Sequence, residues 1–302
     1  MPEDTFNADS THYAFLLVPG FSMIAFSAAV EPLRMANRIS DKTLYRWTAV
    51  SIDGEPVAAS NGLSITPDVE IDSIAECDGM FVCSGVDIYD VDIAPYVNPI
   101  KRFLNLKVPI GALCTGAYIL ARIGLLNGYR STIHWENLAS LREEFPAIIV
   151  SSELFEIDRD RFVAGGGTAP LDMMLHLISQ RHGSDLAVKI SDMFTCDRIR
   201  GRHDRQRMPL QQRLGSRQPK LIEAVSLMEA NLEEPMSLDE LSSHVGISRR
   251  QLERIFQKHL QCVPTRYYLE LRLQRARQLL LQTVQVNNRR EPNRIPAMRS
   301  DW

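Results

Sequence analysis

The most informative segment in the first part of the chain is Val108-Pro-Ile-Gly-Ala-Leu-Cys-Thr-Gly-Ala-Tyr-Ile-Leu120. Its apolar start passes through a short turn at Cys114 and leads directly into a helical pattern. Strand, tight turn and helix in this order are typical of a nucleophile elbow, whose turn residue projects over the N-terminus of a helix. Because that terminus supplies N–H groups and a positive dipole, the turn suits a thiolate or a bound anion.

The sequence around this segment predicts an α/β sheet with helices on both faces. Tyr13–Val18 is a continuous apolar run closed by Pro19-Gly20, which is typical of a buried parallel strand. Further strands are predicted at 47–52, 80–83, 108–113, 148–150 and 161–164, and helices at 22–37, 115–123, 136–143 and 169–181. A second turn, Ala164-Gly-Gly-Gly-Thr168, opens the last of these helices, allows a ligand close to the backbone and offers Thr168 as the N-cap.

Five motifs give residues 12–195 a resemblance to the ThiJ/PfpI group, and more narrowly to the N-terminal domain of AraC-type regulators. They are Val18-Pro-Gly-Phe21, Glu31-Pro-Leu-Arg34, Ala112-Leu-Cys-Thr-Gly116, His134-Trp135 and Ala164-Gly-Gly-Gly-Thr168. The resemblance implies a flavodoxin-like α/β sandwich, the class I glutamine amidotransferase-like fold, that senses a small-molecule effector. The candidate pocket residues are Cys114, Thr115, His134, Trp135, Gly166 and Thr168.

The resemblance also implies that the effector is a small nitrogenous metabolite, an amine or an amino-acid derivative. An aromatic wall at Trp135 would attract a cationic amine through cation–π contacts. A packing role is an equally good interpretation of His134 and Trp135, since a histidine under a loop and an aromatic residue at the edge of a core are common.

A cysteine-dependent enzyme, such as a hydrolase, hydratase or glyoxalase, is the first alternative. In enzymatic members of the group an acidic residue of the first helix lies beside the cysteine. This chain has Ala25 at the matching position, and Glu31 follows about two turns later. Because a thiol without a partner acid or base is a poor catalyst, we expect no enzymatic activity, no catalytic residue, no cofactor and no metal.

The net charge of −3 is an average over two unlike parts of the chain. Residues 1–197 hold 14 Lys and Arg against 26 Asp and Glu, whereas residues 198–302 hold 20 against 11. An acidic part joined to a basic part indicates that only the second part meets a polyanion. Residues 196–218, rich in arginine, read as a basic linker that either contacts phosphates or is a solvated charge run.

The basic part carries a helix-turn-helix pattern, which adds an all-α C-terminal domain to the predicted fold. An apolar helical pattern ends at Gly246, and Ser248 with Gln251 predicts a capping box at the start of the next helix. That helix would enter the major groove of double-stranded DNA, with Arg249 and Arg250 as its first base readers. The candidate DNA-binding residues are Ser248, Arg249, Arg250, Gln251, Arg254 and Lys258.

Residues 219–283 resemble the first helix-turn-helix and the linker helix of AraC/XylS regulators, in which a second helix-turn-helix follows. Leu269, Leu273, Ala276 and Leu280 form a helical stripe here. Residues 284–302 are too few for a second module and predict an irregular tail. We therefore expect a truncated regulator, either non-functional or binding DNA weakly and in a salt-sensitive way unless a homodimer joins two readers.

The cellular location is predicted from the cysteines and the N-terminus. Five cysteines without a CxxC spacing argue against a disulfide framework or a metal motif. The first residues are acidic where a signal peptide is basic, and no apolar run reaches about 18 residues. The expectation is a cytoplasmic protein with free thiols and no membrane partner.

Overall fold

The computed structural model describes residues 10–85, 87–206 and 210–287, and the chain divides after Gln206 into two compact units. The strands of the first unit are β1 (Thr11–Leu17), β2 (Tyr45–Ser51), β3 (Val57–Ala58), β4 (Ser64–Ile65), β5 (Val69–Glu70), β6 (Gly79–Cys83), β7 (Ile110–Leu113), β8 (Arg130–Ser131), β9 (Ile149–Val150), β10 (Phe155–Asp158) and β11 (Arg161–Ala164). Its helices are α1 (Met23–Ser40), α2 (Ala94–Asn105), α3 (Gly116–Arg122), α4 (Leu138–Glu144), α5 (Ala169–His182) and α6 (Ser184–Met193).

Seven strands form the central sheet, in the order β10-β11-β7-β6-β1-β2-β5. Every neighbouring pair is parallel except β10 and β11, which form an antiparallel edge. The prediction of an α/β fold with a mostly parallel sheet is confirmed. The strand predicted at 148–150 is present as β9, but it pairs only with β8 in a separate two-stranded sheet and is not part of the main sheet.

Alternation of side chains along the buried strands produces two cores, one on each face of the sheet. Phe15 and Leu17 of β1 face the core that α1, α5 and α6 cover. Leu16 lies on the other face, in the core that includes residues of α2 and α3. The continuous apolar run in the sequence is explained by this double coverage.

The predicted basic linker at 196–218 is corrected over its first half, because residues 196–206 belong to the first unit. Arg200 forms an ion pair with Asp172 of α5, at 2.6 Å. Arg202 reaches Glu156 of β10, at 3.3 Å. Both carboxylates are almost fully buried and require a charged partner. Arg200 and Arg202 are therefore part of the folded first unit and not of a linker.

The second unit is all-α, as predicted. Its helices are α7 (Leu210–Arg213), α8 (Pro219–Ala230), α9 (Leu238–Val245), α10 (Arg249–Leu260) and α11 (Pro264–Asn287). Its core contains Leu221, Leu241, Leu252 and Phe256. Because α11 continues to Asn287, the predicted irregular tail at 284–302 is corrected over its first four residues. The rest of that tail lies outside the described residues.

The apolar stripe predicted on α11 does not face the core of this unit. Leu269, Leu273 and Leu280 are each more than half exposed. Tyr268 is the residue of α11 that is buried in the core, and its hydroxyl donates to the carbonyl oxygen of Asn231 at 2.5 Å. Among the described residues, no helix combines the length and the apolar character needed to cross a bilayer.

Candidate functional site

The turn between β7 and α3 has the strained geometry that the sequence predicts. Cys114 adopts a φ of +59°, a left-handed conformation that is uncommon for residues with a side chain. Its N–H donates to the carbonyl oxygen of Ala164, at 3.1 Å, which ties the turn to the end of β11. A Cβ on Gly116 would lie 2.1 Å from the carbonyl oxygen of Val82, so only glycine allows α3 to start this close to β6.

The thiol of Cys114 is buried and protonated at neutral pH. Burial raises its pKa to about 12, and the charge of Glu136 adds to the rise, while a backbone hydrogen bond at Thr115 opposes it. On the first helix, Ala25 is a buried residue of the first turn. Glu31 is bound to Arg34 by an ion pair of 2.6 Å. Neither Ala25 nor Glu31 therefore supplies a partner acid or base to this thiol.

His134, Trp135 and Gly166 are brought together with Cys114. The N–H of His134 donates to the carbonyl oxygen of Cys114, at 3.3 Å, and its imidazole lies against Gly166. The Trp135 ring lies 5.5 Å from the imidazole, centroid to centroid. Burial lowers the pKa of His134, an effect that Glu136 partly offsets from 3.6 Å away, so the ring is neutral at neutral pH.

Thr115 and Thr168 lie at the same sheet edge, but each hydroxyl bonds to another part of the protein. Thr115 is buried and donates to the carbonyl oxygen of Gly85. Thr168 occupies the N-cap position of α5, yet its side chain makes no capping hydrogen bond. The Thr168 hydroxyl instead accepts from Arg200, at 2.7 Å. The N-cap prediction therefore holds for its position and not for its hydrogen bond.

Gln206 is a residue of this region that the sequence reasoning missed. Its Nε2 lies within 2.8–3.0 Å of the Thr132 hydroxyl and of the carbonyl oxygens of Ile133 and Glu153. The same amide packs on Gly165, where a Cβ would lie 2.5 Å from it. The glycine run after β11 is thus needed for close packing by Gln206 and His134. The sequence carries no signal for this packing, because the burial of Asp172 and Glu156, which the arginine-rich segment pairs with, is seen only in the structure.

In the second unit, the turn between α9 and α10 matches the predicted pattern. Gly246 ends α9 with a φ of +70°, which favours glycine. Ser248 and Gln251 form the predicted capping box at the start of α10. Oε1 of Gln251 accepts the Ser248 N–H at 2.9 Å and the Ser248 hydroxyl at 3.1 Å, and Oγ of Ser248 accepts the Gln251 N–H at 3.3 Å. These hydrogen bonds fix the start of the helix.

The face of α10 opposite its buried residues is strongly cationic. Leu252 and Phe256 are fully buried, whereas Arg250, Arg254 and Lys258 are exposed. No described residue forms an ion pair with these three cations, which follow one another at spacings of four residues on one face of the helix. Arg249 differs, because it pairs with Glu253 at 3.2 Å and with Asp239 at 3.8 Å.

Comparison with known proteins assigns each of the two units to a protein family. The DJ-1/PfpI family matches residues 13–180, and a helix-turn-helix domain family matches residues 241–288. The chain is 53% identical to the HTH-type transcriptional regulator GbdR of Pseudomonas aeruginosa over 277 residues, which cover 92% of this chain and 76% of that protein. It is 35% identical to the HTH-type transcriptional regulator GlxA of Rhizobium meliloti, over 89% of this chain and 83% of that protein.

A solved structure supports the same assignment for the first unit. The crystal structure of an AraC family transcriptional regulator from Pseudomonas putida superposes with a TM-score of 0.55 at 28% identity, and covers 61% of this chain and 99% of that one. These matches confirm the resemblance that the sequence motifs indicated. The chain belongs to the AraC-type HTH transcriptional regulators whose N-terminal domain has the DJ-1/PfpI fold.

Proposed function

We propose that this regulator binds double-stranded DNA through α10 and responds to a small amine or amino-acid derivative bound beside Cys114 and His134. The observation that carries the proposal is the free cationic face formed by Arg250, Arg254 and Lys258. Guanidinium groups on one face of a helix suit both guanine edges and phosphates. The regulator acts in the cytoplasm, as a homodimer that joins two reading helices.

Geometry favours Arg250 over Arg249 as the base reader near the helix start. Arg249 already pairs with Glu253 and Asp239, and both acids would have to release it before it met a base. Arg250 has no such partner among the described residues. Ser248 and Gln251 hold the helix terminus, and a backbone N–H there can still contact a phosphate.

A binding role for the Cys114 region is favoured over an enzymatic one. The thiol is buried, its pKa is about 12, and neither Ala25 nor Glu31 supplies a base. The neutral imidazole of His134 and the Trp135 ring are suited to an uncharged hydrogen bond and to a cation–π contact with an amine. The regulator therefore has no turnover at this site.

Gln206 is the residue that would couple effector binding to DNA binding. It is the last residue of the first unit, and its amide bonds to Thr132 and Ile133, directly before His134. An effector that shifts His134 would disturb these hydrogen bonds and alter the start of the chain that leads to the second unit. Allosteric coupling requires such a group, with different contacts in two states.

The experiment is a DNA-binding titration of the full chain, with and without each of a panel of amines, for wild type, Gln206→Ala and Gln211→Ala. Gln211 is an exposed residue of α7 and serves as the matched control. We expect an amine to change DNA affinity in wild type and Gln211→Ala, and the change to be lost in Gln206→Ala. Calorimetry that detects no amine bound to wild type would refute the effector proposal, whereas amine binding with an unaltered response in Gln206→Ala would refute the coupling route.

A further inference from the structure

A cavity of about 470 Å³ opens in the first unit at the sheet edge opposite Cys114. Its walls come from the starts of the strands, with Thr11 and Tyr13 on β1, Tyr45 on β2 and Gly79 on β6. Cys114 follows the last residue of β7, so the two sites lie at opposite ends of the parallel strands. The volume is within the range of small-molecule sites, which is roughly 300–1,000 Å³.

Four aromatic rings line this cavity, from Tyr13, Tyr45, Phe81 and Phe162. Tyr13 lies nearly parallel to Tyr45, with centroids 6.1 Å apart, and edge-on to Phe81 at 5.5 Å. The Tyr13 ring covers Gly79, where a Cβ would lie 2.9 Å from it. Such walls favour a flat ring that stacks on one aromatic face and meets the edge of another.

Two polar groups of the cavity have no partner of their own among the described residues. Arg181, exposed at the end of α5, makes no hydrogen bond or ion pair there. Thr11 is 2% exposed, and its buried hydroxyl has no hydrogen-bond partner. Because that hydroxyl is buried from the cavity, it does not reach a ligand there, whereas the exposed guanidinium of Arg181 does.

The second charged group of the cavity, Asp78, already forms hydrogen bonds with the backbone. Its carboxylate accepts the N–H of His12 at 2.7 Å, and its own N–H donates to the carbonyl oxygen of His12 at 2.7 Å. Asp78 thereby joins the start of β1 to the start of β6. The guanidinium of Arg181 is left as the free charge of the cavity, and it binds a carboxylate with two parallel hydrogen bonds.

We infer that this cavity is a second ligand site, which takes a small aromatic carboxylate. The ring stacks on Tyr13, which is more exposed than the buried Tyr45, and the carboxylate pairs with Arg181. This site is independent of the amine proposed beside Cys114 and of DNA binding.

Calorimetric titration of the full chain with indole-3-acetate and with tryptamine tests the charge preference, because the two probes share a ring and differ in the sign of their charge. We expect indole-3-acetate to bind at least about tenfold more tightly than tryptamine, as a hydrogen-bonded charge pair implies. Tighter binding of tryptamine would assign the recognition to Asp78 and overturn the inference. Binding of neither probe would overturn it as well.

Two variants test the role of Arg181. Arg181→Gln should weaken indole-3-acetate at least about tenfold, whereas Arg38→Gln, which alters an exposed arginine of α1, should leave its affinity unchanged. Wild-type affinity in Arg181→Gln would contradict the site.

Discussion

Substitution of Gly166 by alanine tests the packing of the Cys114 region. A Cβ at this position would lie 2.1 Å from Cδ2 of His134 and 3.0 Å from its Nε2. Ordinary contacts of this type begin near 3.4 Å, so the imidazole must move by about 1 Å. His134 is held by its N–H bond to Cys114 and lies beside Trp135, so its shift disturbs both of these residues.

We expect Gly166→Ala to lower the free energy of unfolding of the first unit by about 1–3 kcal/mol, the usual cost of overpacking. Gly201→Ala is the matched control, since the nearest atom to its Cβ would be 3.9 Å away, and its effect should stay within about 0.5 kcal/mol. Urea unfolding followed by tryptophan fluorescence reports on this unit through Trp47 and Trp135. Equal stability of both variants, together with unaltered amine binding, would refute the packing assigned to His134.

Three further predictions concern the thiol, the second core and pH. Cys114, whose pKa burial raises to about 12, should react with iodoacetamide at pH 8 far more slowly than the partly buried Cys196, and rapid labelling of Cys114 in peptide mass spectrometry would contradict this. Phe256→Ala should lower the stability of the second unit by about 3–5 kcal/mol in helical circular dichroism, against about 0.5 kcal/mol or less for Lys258→Ala. Burial lowers the pKa of His134 from 6.5, so the unfolded chain takes up its proton first and stability falls as pH drops below about 6.5. Urea midpoints at pH 7.5 and 5.5 should differ less in His134→Gln than in wild type, and an equal difference would exclude this contribution.

The sequence predicted the features of the fold that local chemistry determines. The apolar run of β1, the turn at Cys114, Gly246 with its positive φ and the capping box at Ser248 each depend on a few adjacent residues. The sequence pattern located β9 but not its pairing partner, and it missed the antiparallel strand β10, because pairing at a sheet edge depends on long-range packing. Residues 148–150 have the composition of a strand without belonging to the main sheet.

The sites were harder to predict than the fold. Cys114, His134 and Gly166 were expected together and lie together, since the ends of parallel strands meet at one sheet edge. Arg200 was read as part of a basic linker, because charge composition does not reveal that the buried Asp172 pairs with it. The aromatic cavity was not predicted from the sequence, because its rings are far apart in the chain and each also has the spacing of a core residue.

Selection of bound genomic fragments by the full chain tests whether the free cationic face of α10 reads DNA. We expect wild type to enrich a small set of fragments with a shared sequence, and Arg250→Ala to lose that preference while Arg38→Ala keeps it. A good bidentate contact of Arg250 with a base is worth about 1–3 kcal/mol, enough to change the enriched set. Enrichment of the same fragments by wild type and Arg250→Ala, or of none by wild type, would contradict the account.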